Sequence, residues 1–367
     1  MTLDSLDIVN FKNIAEASLK FSPGVNCLLG TNGMGKSNLL EAIHFLCFTR
    51  PMTSLAESAL LRHGSDMLMV KGLFRPDAGG EETVACGIVK GKGKTLKRNG
   101  KEYERLSQHI GRFPVVTVTP QDSELVGGPA ETRRRMMDMV ISQANPAYLS
   151  QLMRYNRSLE SRNRMLRAGV RDKILYESVE ATLAETAADV HRWRGEWVSE
   201  IAPGVASYYG RVAGGSEEAS LSYSSQLNGS SMQEVLAERR QKDAVLGFTS
   251  GGIHRDDILT SLGDYSMRRL GSQGQVKTFT VALRFAIFDY LKASSGITPI
   301  LLLDDIFDKL DAGRVERIMH EVSGSGAFSQ IFITDTNRRH LDDIIAAIDG
   351  DRLMLNVDHG AFTPTTG

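Results

Sequence analysis

Residues 30 to 37 read Gly30-Thr31-Asn32-Gly33-Met34-Gly35-Lys36-Ser37, the G-x-x-x-x-G-K-[ST] spacing of a phosphate-binding loop. The pattern constrains the fold because it works only between a strand and a helix. Its flanks comply: Val25 to Leu29 is apolar and of strand length, and Leu39, Ala42, Ile43, Leu46 and Cys47 recur at helical spacing. The glycines let backbone N–H groups turn onto a phosphate, and the following helix, from Asn38 on, points its positive end the same way. Lys36 is placed to reach the β- and γ-phosphates of a nucleotide, and Ser37 is the expected Mg²⁺ ligand through its hydroxyl. Beyond Asn38 only Glu41 and His44 are clearly polar in this helix, which is therefore expected to lie buried inside a sheet-based domain.

A second half of such a site is visible far downstream. Ile300-Leu301-Leu302-Leu303 ends in Asp304-Asp305, the form of a Walker B strand that delivers one carboxylate beside the metal and the next beside an attacking water. Roughly 270 residues separate Lys36 from Asp304, more than a single domain of 100–150 residues holds, so a segment is inserted between the two halves. Near its end stands Leu270-Gly271-Ser272-Gln273-Gly274-Gln275, followed by an apolar helix over 276–291. Ser272, Gly274 and Gln275 match the ABC signature L-S-G-G-Q, with Gly271 where the leucine would be. The same residues also make an ordinary helix N-cap.

Between the halves the pattern changes character. Strand-like runs cover 3–21, around a turn at Phe11-Lys12-Asn13-Ile14, then 67–74, 83–89 and 115–118. Lys90 to Lys94 and Lys97 to Lys101 make a basic hairpin with its turn at Asn99-Gly100. From Glu131 the sequence becomes helical, opening on Arg133-Arg134-Arg135. After Pro146, two arms spaced by threes and fours suggest an antiparallel helical hairpin bending at Gly169. One carries Leu149, Leu152, Asn156, Leu159, Asn163 and Leu166. The other carries Val179, Leu183, Thr186, Val190, Trp193, Trp197 and Ile201. Each arm is expected to span at most about thirty residues, roughly 45 Å. Arg154, Arg157, Arg162, Arg164, Arg167 and Arg171 read either as a solvated face or as a track for DNA. The Gly- and Ser-rich stretch 203–231 reads as short strands and loops.

These motifs, in this order and over nearly the whole length, resemble the RecF family of bacterial recombination-repair ATPases, of the ABC and SMC-like class. The likeness also rests on Phe11-Lys12-Asn13, on Pro120 to Asp138, on His254-Arg255-Asp256-Asp257, and on Leu302 to Asp311. Gly252-Ile253 before His254, Lys12 and Asp308-Lys309 depart from the family pattern without removing a nucleotide-contacting group. The resemblance implies an α/β ABC-type head: ATPase lobe I from residues 1–120 and 271–367, and a mainly helical lobe II from 121–270. It implies ATP with Mg²⁺, the metal held by Ser37 and Asp304, the water polarised by Asp305, and Gln121 at the Q-loop position. It also implies that Ser272, Gly274 and Gln275 contact the nucleotide of a second copy, in an ATP-dependent homodimer. Thr334 sits where many ABC proteins place a histidine, consistent with slow, DNA-stimulated hydrolysis. The family's partners are duplex DNA and single-strand/double-strand junctions, with Arg133, Arg134 and Arg135 as candidate contacts, and RecR, with RecO, in loading RecA.

The 367 residues carry a net charge of −1, so DNA binding has to come from local patches. Cys27, Cys47 and Cys86 are scattered as reduced core thiols would be. A cytoplasmic protein without a membrane segment is expected. A transporter ATPase subunit and a non-hydrolysing scaffold are the competing readings.

Overall fold

The computed structural model describes residues 1–52, 56–215, 217–307, 310–324, 328–347 and 351–365. Asp308 and Lys309 lie outside them. In chain order come β1 (Thr2–Phe11), β2 (Ile14–Lys20), β3 (Val25–Leu29), α1 (Lys36–Phe48), β4 (Met67–Arg75), β5 (Glu82–Val89), β6 (Gly93–Arg98), β7 (Lys101–Glu102) and β8 (Val115–Val118). Then follow α2 (Glu124–Gly127), α3 (Ala130–Ala144), α4 (Pro146–Arg167), α5 (Lys173–Ala213), β9 (Ala219–Ser224), α6 (Met232–Leu246), β10 (Asp257–Leu262), β11 (Tyr265–Ser266) and α7 (Met267–Leu270). The chain closes with α8 (Gln273–Ser295), β12 (Ile300–Asp304), α9 (Ala312–Gly324), β13 (Gln330–Asp335), α10 (Arg338–Ala347), β14 (Arg352–Asp358) and β15 (Ala361–Pro364).

The chain divides into two compact units, one of Met1–Asp122 with Ile287–Gly367 and one of Ser123–Ala286. The first holds two six-stranded sheets. One is antiparallel, in the order β2-β1-β4-β5-β6-β7. The other runs β15-β14-β3-β13-β12-β8, and all of its strands except β15 are parallel. Helix α1 packs against strands of both sheets, with Leu39, Leu40, Ala42, Ile43, Phe45 and Leu46 fully buried. Its even apolar content is what a helix enclosed on both sides requires. The three cysteine thiols are buried and free, and burial pushes Cys27 and Cys86 up to about 12. The basic hairpin turns at Asn99 and Gly100, with φ of 49° and 78°, the left-handed pair that a two-residue hairpin needs.

The second unit is helical around a three-stranded sheet, β11-β10-β9. Asn145 starts α4 by accepting from the amides of Ala147 and Tyr148 at 3.0 and 3.1 Å, with Pro146 at the first helical position. Gly169, at φ 63°, ends the arm and lets the chain reverse into α5. The buried face of α4 is Tyr148, Leu152, Tyr155, Arg162 and Met165, so it is rotated from the expected stripe and Asn156 is exposed. Helix α5 runs 41 residues, roughly 60 Å, well past the expected end. It continues through Pro203, whose cost of about 3 kcal/mol is met by burying Val205, Tyr208, Tyr209 and Val212 at roughly 1.5–3 kcal/mol each. Among the described residues of 203–231, only β9 forms as an expected short strand.

Two histidines, one buried and one half-buried, make stability pH-dependent. His109 lies between the Leu46 carbonyl, 2.8 Å from Nε2, and the Tyr103 hydroxyl, 3.1 Å from Nδ1, and burial lowers its pKa to about 4. His254, between the Tyr155 hydroxyl at 2.7 Å and the Thr249 carbonyl at 2.9 Å, is also lowered to about 4 by burial. Both stay neutral in the fold while the unfolded chain takes up protons from about pH 6.5 downward. Their contribution is therefore complete above pH 6.5 and is lost as pH falls toward 4, on the order of 3 kcal/mol per histidine. Thermal melts from pH 7.5 to 4.5 should show the midpoint falling across this window. His109→Gln, which can still donate to Leu46, should flatten the fall; an unchanged slope would exclude His109 as its source.

Candidate nucleotide site

Strand β3 delivers the chain into the phosphate loop at the C-terminal edge of the parallel sheet, where ligands of such sheets bind. Gly33 and Gly35 take φ of 83° and 112°, conformations that a side chain resists, and so the loop can fold back before α1 begins. Lys36 is buried and donates to the carbonyls of Gly30 and Thr31 at 2.6 and 3.1 Å. Burial lowers its pKa, while the carboxylates of Asp305, Asp304 and Asp335 act in the opposite sense. The result is an ammonium held in the loop by weak carbonyl partners, which phosphate oxygens can replace.

The neighbouring strands complete the edge. Ser37 Oγ donates to Asp304 Oδ1 at 2.8 Å, bringing the two candidate metal ligands together across 267 residues of sequence. Thr334 is fully buried at the end of β13; its hydroxyl donates to Asp304 Oδ1 at 2.8 Å and accepts from the Asp305 amide at 3.0 Å. One hydroxyl therefore fixes both aspartates, and Asp305 adopts a left-handed φ of 47° just past the strand. Strand β8 pairs with β12 in register, Val118 opposite Leu303, so exposed Gln121 follows at the same edge as Asp304. Asp335, one residue beyond Thr334, is buried and bonded to His340 Nδ1 at 2.9 Å. This carboxylate was missed from sequence; it stands one residue further past the apolar run of β13 than Asp304 does in β12, with Thr334 opposite Asp304.

Ser272 lies in the second unit and caps α8. Its hydroxyl accepts from the Gln275 amide at 3.2 Å, and Gln275 Oε1 accepts from the Ser272 amide at 2.9 Å, a reciprocal capping box. Gln275 Nε2 also donates to Glu217 at 2.6 Å. Gly274 falls in the same first turn. A Cβ on Gly271 would lie 2.7 Å from the Met267 carbonyl oxygen, which accounts for glycine at the usual leucine position.

The arginine run behaves differently from its expectation. Arg133 is 3% exposed and forms a two-point ion pair with Asp257, at 2.6 and 2.9 Å, so it is withdrawn from any DNA backbone. Arg134 is half-buried and donates to the Asp256 carbonyl at 2.6 Å. Arg135 is 54% exposed and pairs with Glu131 one helical turn away at 3.1 Å, so of the three it is the most accessible. In the arm, Arg162 is likewise buried, between Asp243 and Glu180 at 2.8 and 2.9 Å. Arg157, Arg164, Arg167 and Arg171 are exposed.

Sequence reasoning also passed over Arg194. Fully buried in α5, it donates to Asp256 Oδ2 at 2.8 Å, to Asp138 Oδ1 at 2.8 Å and to the Ile253 carbonyl at 2.7 Å. Burial opposes its charge, but Asp138, Tyr148 and Asp256 more than compensate and hold the guanidinium protonated. The His254-Arg255-Asp256-Asp257 segment thus serves as the counter-charge for α3 and α5.

A family model described as the RecF/RecN/SMC N terminal domain matches residues 2–350. The chain is 46% identical over 361 residues to the DNA replication and repair protein RecF of Porphyromonas gingivalis, covering 98% of this chain and 99% of that one. It is 43% identical to the RecF of Phocaeicola vulgatus, over 99% and 98%. Among solved structures, the recombination mediator protein RecF-ATP in the RecFOR pathway superposes with a TM-score of 0.88 at 26% identity, over 99% of this chain and 97% of that one. An SMC head bound to the C-winged helix domain of ScpA shares the fold, with a TM-score of 0.59 at 15% identity over 100% and 97%. The chain belongs to the RecF family of DNA replication and repair proteins and has the ABC-type ATPase head of the SMC class.

Proposed function

We propose that this chain binds and slowly hydrolyses ATP, and that ATP joins two copies around duplex DNA at single-strand gaps. The observation that carries the reading is the chain of contacts from Ser37 through Asp304 and Thr334 to Asp305, which gathers the expected groups at one sheet edge. Ser37 and Asp304 suit Mg²⁺, which takes a hydroxyl and a carboxylate from protein and leaves its other positions to water and phosphate. When bound, the metal would neutralise charge between the β- and γ-phosphates. Lys36 would hold those phosphates, the α1 N-terminus would face them, and Asp305 would orient and accept a proton from the attacking water. Gln121 would contribute from β8.

Ser272 and the first turn of α8, with Gly274 and Gln275, would present hydroxyl and amides to the γ-phosphate held by the second copy. DNA would meet exposed cations such as Arg135 and the arm arginines, giving affinity that falls steeply with salt. RecF relatives act in the RecFOR pathway by their descriptions. We extend this to RecR and RecO as partners in loading RecA. Among the described residues no helix is long and apolar enough to cross a membrane, and none of this chemistry calls for one.

The test is fluorescence anisotropy of Asp305→Asn protein on a gapped duplex, with ATP and with ADP. That substitution keeps phosphate and metal contacts while slowing hydrolysis, so binding at least tenfold tighter with ATP is expected. Equal affinity with both nucleotides would separate ATP from DNA recognition and favour a scaffold.

A further inference from the structure

Met34, in the middle of the phosphate loop, is held from outside by two turns far from it in sequence. Asn13 Nδ2, between β1 and β2, donates to the Met34 carbonyl at 3.1 Å. The amide of Gly360, between β14 and β15, donates to the same carbonyl at 2.8 Å. Asn13 Oδ1 also accepts from Asn38 Nδ2 in the first turn of α1 at 2.8 Å, and its backbone carbonyl accepts from Arg62 at 2.9 Å. Glycine permits each close approach. A Cβ on Gly35 would lie 2.7 Å from the Asn13 side chain, and one on Gly360, at φ +81°, would lie 2.6 Å from the Asn13 carbonyl oxygen. The same C-terminal hairpin leans on the start of the loop, where a Cβ on Gly30 would lie 2.5 Å from the Val357 carbonyl oxygen.

A loop whose amides converge on a phosphate must turn carbonyls outward, and without phosphate nothing inside it offsets the crowded N–H dipoles. Donors that satisfy an outward carbonyl hold this conformation in advance, so less ordering is left for the ligand to impose. We propose that Asn13 and Gly360 are positioning residues for the phosphate loop, acting together through the Met34 carbonyl, and that the β14–β15 turn is a working part of the nucleotide site. Neither belongs to the phosphate loop itself. The inference rests on the ATP reading above. By reciprocity, nucleotide that favours the held loop also orders the turn, so perturbing the turn weakens nucleotide binding.

The experiment measures the dissociation constant of a fluorescent ATP analogue with Mg²⁺, together with hydrogen–deuterium exchange of the peptide spanning Gly360. Asn13→Ala and Gly360→Ala are each expected to weaken binding about tenfold, with the double variant well short of the hundredfold product because both act on one carbonyl. Asn13→Asp keeps the acceptor for Asn38 but cannot donate to Met34, and is expected to stay weak. Gly100→Ala introduces similar strain at φ +78° with no atom within 4 Å, and is expected to stay within twofold of wild type. In wild type the analogue should slow exchange at Gly360, and in Asn13→Ala this protection should disappear. Asn13→Ala adds no atoms and carries the test if Gly360→Ala fails to fold. Binding within twofold of wild type in Asn13→Ala, fully multiplicative losses, or nucleotide-independent exchange at Gly360 would each overturn the proposal while leaving the ATP reading intact. No binding by wild type would overturn both.

Discussion

Arg194→Ala is expected to lower the stability of the second unit by about 3–5 kcal/mol, among the largest losses of any single side chain here. The guanidinium is fully buried and donates to two carboxylates at once, Asp138 and Asp256, while its Nη1 also satisfies the Ile253 carbonyl. Removing it leaves buried negative charge without a partner as well as a cavity, and the Tyr148 and Tyr223 hydroxyls, which donate to Asp138 and Asp256, cannot supply a positive charge. Arg192, two residues away but 52% exposed, pairs with Asp189 and Glu196 at 3.5 and 3.2 Å. Its alanine variant is expected to cost less than about 1 kcal/mol. Urea denaturation of both variants distinguishes a charged core from a solvated face. Equal losses would show that the Arg194 cluster contributes no more than a surface pair.

Lys36→Ala is expected to weaken nucleotide binding by at least about a hundredfold. Charge-assisted hydrogen bonds are worth roughly 1.5–3 kcal/mol each, and this ammonium is positioned to make two of them. The buried Lys36 also bonds the Gly30 and Thr31 carbonyls, so its loss loosens the loop that offers the amides. Lys36→Arg is not expected to restore affinity, because a planar fork does not fit where a compact charge is enclosed. Calorimetric titration with ATP, with exposed Lys97→Ala as control, reads the difference. A loss smaller than about fivefold would mean that the backbone amides alone carry the phosphates.

The parts of the site that were legible in sequence depend on local spacing. The phosphate loop, the Asp304-Asp305 strand end and the Ser272 cap are each written within a few consecutive residues, and strand, loop and helix physics constrains them there. Charge was not legible in this way. Arg133, Arg162 and Arg194 look like any surface arginine on a helix, and what buries them is Asp257, Asp243 and Asp256, between 62 and 124 residues away. A run of three arginines therefore contains one ion-paired core residue, one half-buried donor and one exposed cation, in the order that helical rotation sets. Pro203 misled for a related reason: a local helix-breaking signal was outweighed by tertiary burial of the aromatic face beyond it. The Asn13, Met34 and Gly360 contact had no local signal, since one asparagine and one glycine in turns carry no information about a third segment.

The sheet that carries the phosphate loop has a consequence for biogenesis. Val25 in β3 pairs with Ile331 on one side and Arg352 on the other, so the strand made first is flanked by strands made last. During synthesis β3 emerges as an apolar strand whose partners do not yet exist, and α1 emerges with β1 alone of its partner strands already made, whereas Ser123–Ala286 is continuous and can close on itself earlier. Such separation makes pairing slow. A nascent chain halted before β13 would thus carry a folded helical unit beside an exposed apolar strand, a client for chaperones, and the capacity to bind nucleotide would arrive only as the C-terminal strands leave the ribosome.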